Sequence, residues 1–410
     1  RQFVEHLQLA ETSKEVRDST GIKQRKAKID QLQNKLEAIE KSMAPSLAIR
    51  ALWDEGNPSP TYILRRGEHT QFGRLVGPGV PSVLTDGRTA FEYQAPFPDG
   101  TKKTGRRLAF AKWLTSKQHP TTARVMVNRV WHHHFGKGLV KTLENLGVMG
   151  AKPTHPELLD WLAVEFMANH WSMKELHRQI MTSQTYQQTS RVGQAAMQLD
   201  PENQLYSRMP LRRMDAETLR DSLLFVSDRL DLNGGGIPDP VEVDPTGEVK
   251  IKPTPDHRWR RSLYAQYRRT EIPTLLDTFD YPQMGPNCFE RSISTVSPQA
   301  LLLLNNQRVH ELAQFFSDRL QNIPTELPNA TIKGDSTSQP TSPNQNSGHW
   351  NQVIERAYQI AMSRSPSTEE LALGSTSLDL LVRKWDGDTD KALTSYCHAL
   401  LNSASFLYID

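Results

Sequence analysis

From Asn128 to Gly138 the chain reads Asn-Arg-Val-Trp-His-His-His-Phe-Gly-Lys-Gly, one helix end crowded with imidazole and indole that stops on a pair of glycines. This stretch limits the possible folds. Glycine accepts the left-handed backbone that ends a helix, and Pro120 suits a first turn, so the pattern predicts a helix from there to about His134. Thr154-His155-Pro156-Glu157 reads as a capping box, with Leu158, Leu162 and Phe166 on the inner stripe of the helix it opens. Ser172-Met173-Lys174-Glu175 reads as a second box, and Trp171 and Leu176 hold the two positions of a hydrophobic staple. Met214-Asp215 opens a further helix carrying Leu219, Leu223, Val226 and Leu230, which Asn233-Gly234-Gly235-Gly236 would end. Ser297-Pro298 caps another, with Leu301, Leu304, Leu312 and Phe316. These signals predict a mainly α protein: a multi-helix globular core with a small β-element and an N-terminal helical arm.

The arm is residues 1–45. Ile22, Ile29, Leu32, Leu36, Ile39 and Met43 follow heptad spacing, and Pro45 closes the run. It could pack within the chain or pair in a dimer, so the oligomeric state stays open. Residues 46–104, rich in Gly, Pro and Asp, read as an extended or β connector with a strand near 61–67. The main core spans 105–320. Its Pro- and Asp-rich segment 237–258 reads as loop, and a strand near 261–269 would share a small sheet with 61–67. Residues 321–349 hold almost no large apolar groups and read as a disordered linker or insertion, because such a segment cannot offset its ordering entropy. Helices return over 350–410, with Trp350, Ile354 and Tyr358 first.

At 410 residues with 37% apolar content, the chain can bury a core. Lys and Arg number 49 against 46 Asp and Glu; a net charge of +3 argues against a nucleic-acid binder. No apolar run is long enough for a membrane span. The chain opens on Arg1-Gln2-Phe3-Val4 with no initiator Met and no signal-peptide pattern, as expected of a fragment of a longer protein. Cys288 and Cys397 form no Cys-x-x-Cys pair, and Thr394 stands where a Cys-x-x-Cys-His haem site needs a thiol. No cofactor is expected in this chain.

Consecutive helical residues point about 100° apart, so His132, His133 and His134 cannot converge easily on one ion from a regular helix. His134 shares a face with Ala123, Val127 and Val130. It reads first as a structural histidine, then as part of a polar cleft, and least as a metal ligand. No His-Glu-x-x-His, Gly-x-Ser-x-Gly or Walker-type phosphate loop occurs. Cys288 precedes Arg291, but no histidine lies nearby in sequence to act as base. A buried thiol beside an Arg–Asp ion pair is the favoured reading. Trp113, Trp131 and Trp161 read as core residues. Arg268, Arg269, Asp277, Asp280 and Arg291 could line a polar cleft.

Arg107-Leu108-Ala109, Trp113-Leu114, Thr122-Ala123-Arg124-Val125, Asn128-Arg129-Val130-Trp131 and His134-Phe135-Gly136-Lys137-Gly138-Leu139-Val140 fall in an order that continues along the chain. His155 to Leu162, Leu176-His177-Arg178, Thr182 to Tyr186, Arg212 to Glu217, Leu219-Arg220-Asp221, Ser294 to Asn305 and Leu400 to Ser403 complete it. This order resembles the planctomycete-specific domain family, the C-terminal region of large exported planctomycete proteins, over most of residues 50–410. The resemblance implies no established activity and a periplasmic or cell-surface location. It also implies upstream partner domains in the same parent chain, often including a planctomycete-type cytochrome c that would hold any haem c. Some members carry lectin-like sandwich modules. Residues 1–45 would be the tail of a preceding domain, and 321–349 a variable spacer.

The functional expectation is a non-catalytic binding or scaffolding region, accessory to a cytochrome c domain elsewhere. Its candidate cleft uses Arg66, Arg129, His133, His134, Arg268, Asp280 and Arg291 for a glycan or anionic ligand. The alternative is an enzyme acting on polysaccharide or another extracellular polymer, which would need Asp280 or Glu290 to face a second carboxylate across a groove.

Overall fold

The computed structural model describes residues 19–42, 58–85, 91, 103–282, 288, 290–322 and 346–409. Among them are fourteen α-helices and four two-stranded sheets, so the protein is mainly α. The chain divides into a unit of Arg1–Ala51 with Gly234–Pro238, and a second unit of Leu52–Asn233 with Asp239–Asp410.

In the first unit, α1 spans Ser19–Ser42. Ile29 is buried, whereas Leu36 and Ile39 of the same heptad stripe are exposed. Met43 and Pro45 lie outside the described residues.

The second unit begins with β1 (Thr61–Leu64) and β2 (Phe72–Val76), an antiparallel hairpin turned through a 3-10 segment at Arg65–Gly67. Four helices follow: α2 (Arg106–Leu114), α3 (Thr122–Phe135), α4 (Pro156–Ala168) and α5 (Met173–Met181). Val127, Val130, Trp131 and Phe135 of α3 pack with Leu159, Leu162, Phe166, Leu176 and Ile180 in a first core. The predicted stop is real. Gly136 takes φ +74° and its N–H donates to the His132 carbonyl at 2.7 Å. The motif's Asn128 is fully buried and clamps the returning chain: its Nδ2 donates to the Val140 carbonyl at 2.9 Å, and its Oδ1 accepts from the Val140 N–H at 2.8 Å. Gly138 leaves room for this clamp, since a β-carbon there would lie 2.6 Å from the Val140 carbonyl and 2.8 Å from Asn128 Oδ1.

Two local expectations are corrected here. His155, not Thr154, is the N-cap of α4, because the Thr154 N–H and hydroxyl both turn back to the Leu139 carbonyl. Trp161 is 53% exposed, because the buried face of α4 runs through Leu159, Leu162, Ala163 and Phe166 and leaves the indole on the opposite side. Ser172 caps α5 as expected, accepting from the Glu175 N–H at 3.3 Å.

Beyond α6 (Gln194–Leu199) come β3 (Arg212–Arg213) and α7 (Ala216–Val226). Asp215 caps α7 by accepting from the Thr218 N–H at 2.8 Å. The helix stops at Val226, seven residues before Asn233: Asp228 takes φ +55°, and Leu230 already belongs to β4 (Leu230–Asp231). Part of the expected 237–258 loop is a hairpin, β5 (Val241–Val243) with β6 (Val249–Ile251), which Lys250 braces against Asp244 and Glu248 at 2.7 and 3.1 Å. β7 is Trp259–Arg260 and pairs parallel with β4; Ser262–Tyr264 then turns as a 3-10 helix. The strand expected at 261–269 is therefore not formed: β7 ends at Arg260, and the segment holds the 3-10 turn and one isolated bridge of Ala265 to Asp239, apart from the β1–β2 hairpin.

α8 (Thr274–Thr278), α9 (Ser297–Asn305) and α10 (Gln307–Asn322) precede α11 (Asn346–Met362), α12 (Thr368–Lys384), α13 (Thr389–Leu401), α14 (Ala404–Leu407) and β8 (Tyr408–Ile409). Asn306, at ψ 125°, breaks what reads in sequence as one helix into α9 and α10. The break turns Leu301 and Leu304 outward and leaves Leu303, Leu312 and Phe316 buried. The second core gathers Leu219 and Leu223 with these residues and with Ile354, Leu378, Leu393 and Leu401. Of the expected spacer, residues 323–345 lie outside the described residues.

Removing the Asn128 clamp strands two buried main-chain groups, and each lost partner costs about 1–3 kcal/mol. Asn128→Ala is expected to destabilise the protein by about 3 kcal/mol. Gly138→Ala, which drives a β-carbon into main chain, is expected to cost about 2 kcal/mol. Chemical denaturation of each variant beside the parent protein checks both values.

Candidate functional site

Where the first core meets the second, an open cleft of about 880 Å³ lies against the end of α3 and strand β3. His132 and His133 line it from α3, and Arg212, Arg213 and Asp215 from β3 and the start of α7. Asp280, Cys288, Glu290 and Arg291 line the far side, with Ile293 and Ile409 as apolar wall.

Strand β3 exists because the two arginines pair antiparallel with β8, Arg212 opposite Ile409 and Arg213 opposite Tyr408. The pairing sends the two side chains different ways. Arg213 goes inward, only 8% exposed. Its Nη2 donates to Asp280 Oδ2 at 2.7 Å, its Nη1 to Gln299 Oε1 at 2.7 Å and to the Ser294 carbonyl, and its guanidinium lies 5.3 Å from the centre of the Phe279 ring. Asp280 accepts further from the Ser294 N–H at 2.8 Å and the Ser294 hydroxyl at 2.7 Å. Burial alone would push its carboxyl up, but the Ser294 groups and the Arg213 guanidinium outweigh burial and hold it below the usual carboxylate range.

Arg212 lies across the end of α3, and its Nη1 donates to the His133 carbonyl at 2.9 Å. Gly136 permits this crossing, since a β-carbon there would meet the Arg212 stem at 2.9 Å. The Arg212 Nε is buried with no hydrogen-bond partner among the described residues. Arg291 binds Glu217 through both guanidinium arms, at 2.6 and 2.9 Å.

The three histidines fan out as helix geometry requires. His132 and His133 face the cleft, while His134 Nε2 meets His177 Nδ1 at 2.8 Å beside the Tyr186 ring. All three have lowered pKa values. Burial comes first in each case, followed by neighbouring charge: His133 for His132, Arg291 and Arg212 for His133, and His177 for His134. Among the described residues no group of three or more His, Cys, Asp or Glu is placed to hold a metal ion.

Of the residues expected from sequence, the structure brings His133, Asp280 and Arg291 to this cleft. Arg66 sits in the β1–β2 turn at φ +53°, Arg129 elsewhere on α3, and His134 with His177. Arg268 pairs with Glu271 at 2.6 Å on the surface. One expectation about Cys288 is overturned: the thiol is exposed. Arg291 does stand in an Arg–Asp pair, with Asp215 at 3.6 Å, and also takes Glu217, while Asp280 pairs with Arg213. His132, Arg212, Arg213 and Asp215 were missed as site residues. The adjacent arginines just before a capped helix were the available signal, because two successive charged residues on a strand must face opposite sides.

A mainly helical unit with a polar cleft between two helical cores defines a class of architecture, not an activity. The family model PSD1, protein of unknown function (DUF1553), matches residues 106–378, and the chain belongs to that family. No curated protein and no solved structure matches the chain. Among the described residues no helix is long and apolar enough to cross a membrane.

Breaking a buried ion pair from one side costs about 3–5 kcal/mol. Asp280→Ala is therefore expected to lose about 3 kcal/mol in denaturant titration, with Asp280→Asn between it and the parent. The histidines give a pH dependence of opposite origin. Their ordinary value is 6.5 and their folded values are lower, so below about pH 6.5 the unfolded chain binds protons that the folded chain does not. Stability is expected to be fully present above that pH and to fall as pH drops below it. Melting temperatures that stay level from pH 7.5 to about 5.5 would contradict the expectation.

Proposed function

We propose that the cleft is a non-catalytic binding site for a polar, hydroxyl-rich ligand, a glycan being the class that fits best. The observation that carries this reading is charge balance. Three guanidiniums (Arg212, Arg213, Arg291) face three carboxylates (Asp215, Asp280, Glu290) around the cleft, and the two imidazoles have lowered pKa values. Such a wall offers donors and acceptors together without a net field to select an anion, and sugar hydroxyls both donate and accept. Ile293 and Ile409 add apolar surface to the same wall as the Arg212 side chain.

The enzyme alternative is weaker on the same geometry. Glycoside hydrolysis needs one carboxyl that can donate a proton. Asp280 is held ionised and its oxygens are already engaged by Ser294, Arg213 and Gln299.

The resemblance to exported planctomycete proteins supports two further parts of the proposal. The region serves as a scaffold at the periplasm or cell surface, accessory to upstream domains of its parent chain. Any haem c belongs to one of those domains and not to these residues. The small net charge of +3 supports leaving nucleic acid out of the partners.

A glycan array followed by titration calorimetry tests the reading. Neutral oligosaccharides are expected to bind with little change between about 50 mM and about 500 mM salt, because no net charge is being screened. Arg212→Ala is expected to weaken binding about tenfold or more, while Arg268→Ala, on the remote surface pair, leaves it unchanged. Steeply salt-dependent binding of acidic oligosaccharides alone would favour an anionic ligand. Equal binding by both variants would remove the cleft from consideration.

A further inference from the structure

A second cavity, of about 60 Å³, lies against α7, the β5–β6 hairpin and the break at Asn306. It is large enough for several water molecules or one small ion. Arg220, Lys250, Arg308 and Glu248 line it together with Trp259, Leu223 and Leu312.

Arg220 is 9% exposed. A buried guanidinium normally has a carboxylate against its forked edge. Here one nitrogen makes every contact: Nη1 donates to the Arg260 carbonyl at 3.1 Å, to Ser262 Oγ at 3.1 Å and to Asp221 Oδ1 at 3.4 Å. Among the described residues Nε and Nη2 meet no acceptor. The nearby carboxylates are already engaged. Asp221 accepts from the Ser262 N–H at 2.7 Å and its hydroxyl at 2.8 Å, and pairs with Arg261 at 3.5 Å. Asp239 is bound by Arg260 at 2.6 Å. Glu248 is held by Lys250 at 3.1 Å and by Asn306 Nδ2 at 2.7 Å. Arg308 turns away to Glu311 at 2.7 Å, with its guanidinium 4.6 Å from the centre of the Trp259 ring.

We propose that this cavity is a binding site for a small inorganic or carboxylate monoanion, held on the unpaired edge of Arg220. Incomplete compensation of the buried charge is consistent with its pKa, which burial pushes down to about 10 against the raising effect of Asp221 and Asp239. The anion completes the ion pairing of α7 with the hairpin and β7. It is independent of the ligand proposed for the larger cleft.

Bromide is the probe. Crystals of the parent protein soaked in sodium bromide are expected to show an anomalous peak in the cavity in hydrogen-bond contact with Arg220. Exchanging gluconate, too large for the space, for bromide at constant ionic strength is expected to raise the melting temperature by about 3 °C in a saturable manner. Arg220→Met removes that dependence if the variant folds. The crystallographic result does not require the variant. A cavity holding only water, with no anomalous peak, overturns the proposal whatever the melting shift.

Discussion

The buried guanidinium of Arg213 organises the second unit around the cleft. It joins strand β3 to the Asp280 carboxylate just after α8, to Gln299 in the first turn of α9 and to the Ser294 carbonyl between them. A charge buried this deeply has no cheap alternative partner, so segments far apart in sequence are held in one arrangement. Asp280 itself stands at φ +65°, a backbone that aspartate tolerates better than most residues, and Ser294 secures it there from main chain and side chain together.

The same interaction shapes the chemistry of the cleft. By neutralising Asp280, Arg213 leaves the wall polar without making it acidic, and Arg291 does the same to Glu217. What remains available is Arg212 across the end of α3, with the imidazoles of His132 and His133 beside it. The helix end matters in two ways. Gly136 stops α3, and its missing side chain is the space through which the Arg212 stem passes. The glycine that ends the helix also admits the arginine that most distinguishes the cleft.

The helical fold was legible because its signals are local. Asp215 and Ser172 cap the helices they precede, and the buried faces of α3, α7 and α10 follow helical spacing. The failures are tertiary. Thr154 has the right neighbours for a cap, yet its hydroxyl finds the Leu139 carbonyl, fifteen residues away, first. Leu301 and Leu304 fit one continuous stripe until Asn306 breaks it. Asp280 and Arg291 could be picked out as cleft residues from their composition. Their partners could not, because Arg213 and Glu217 lie more than sixty residues away from them.

Strand β3 has its only described partner in β8, about 200 residues further along the chain. Closing so long a loop is entropically costly and comes late unless other contacts have already drawn the ends together. The first helical core can assemble from nearer neighbours, but the second already brings Leu393 and Leu401 onto Leu219, and the arginine pair is oriented only once Tyr408 and Ile409 have docked. The cleft would therefore take its shape together with the second core, and a nascent chain carrying only the first core would still lack it.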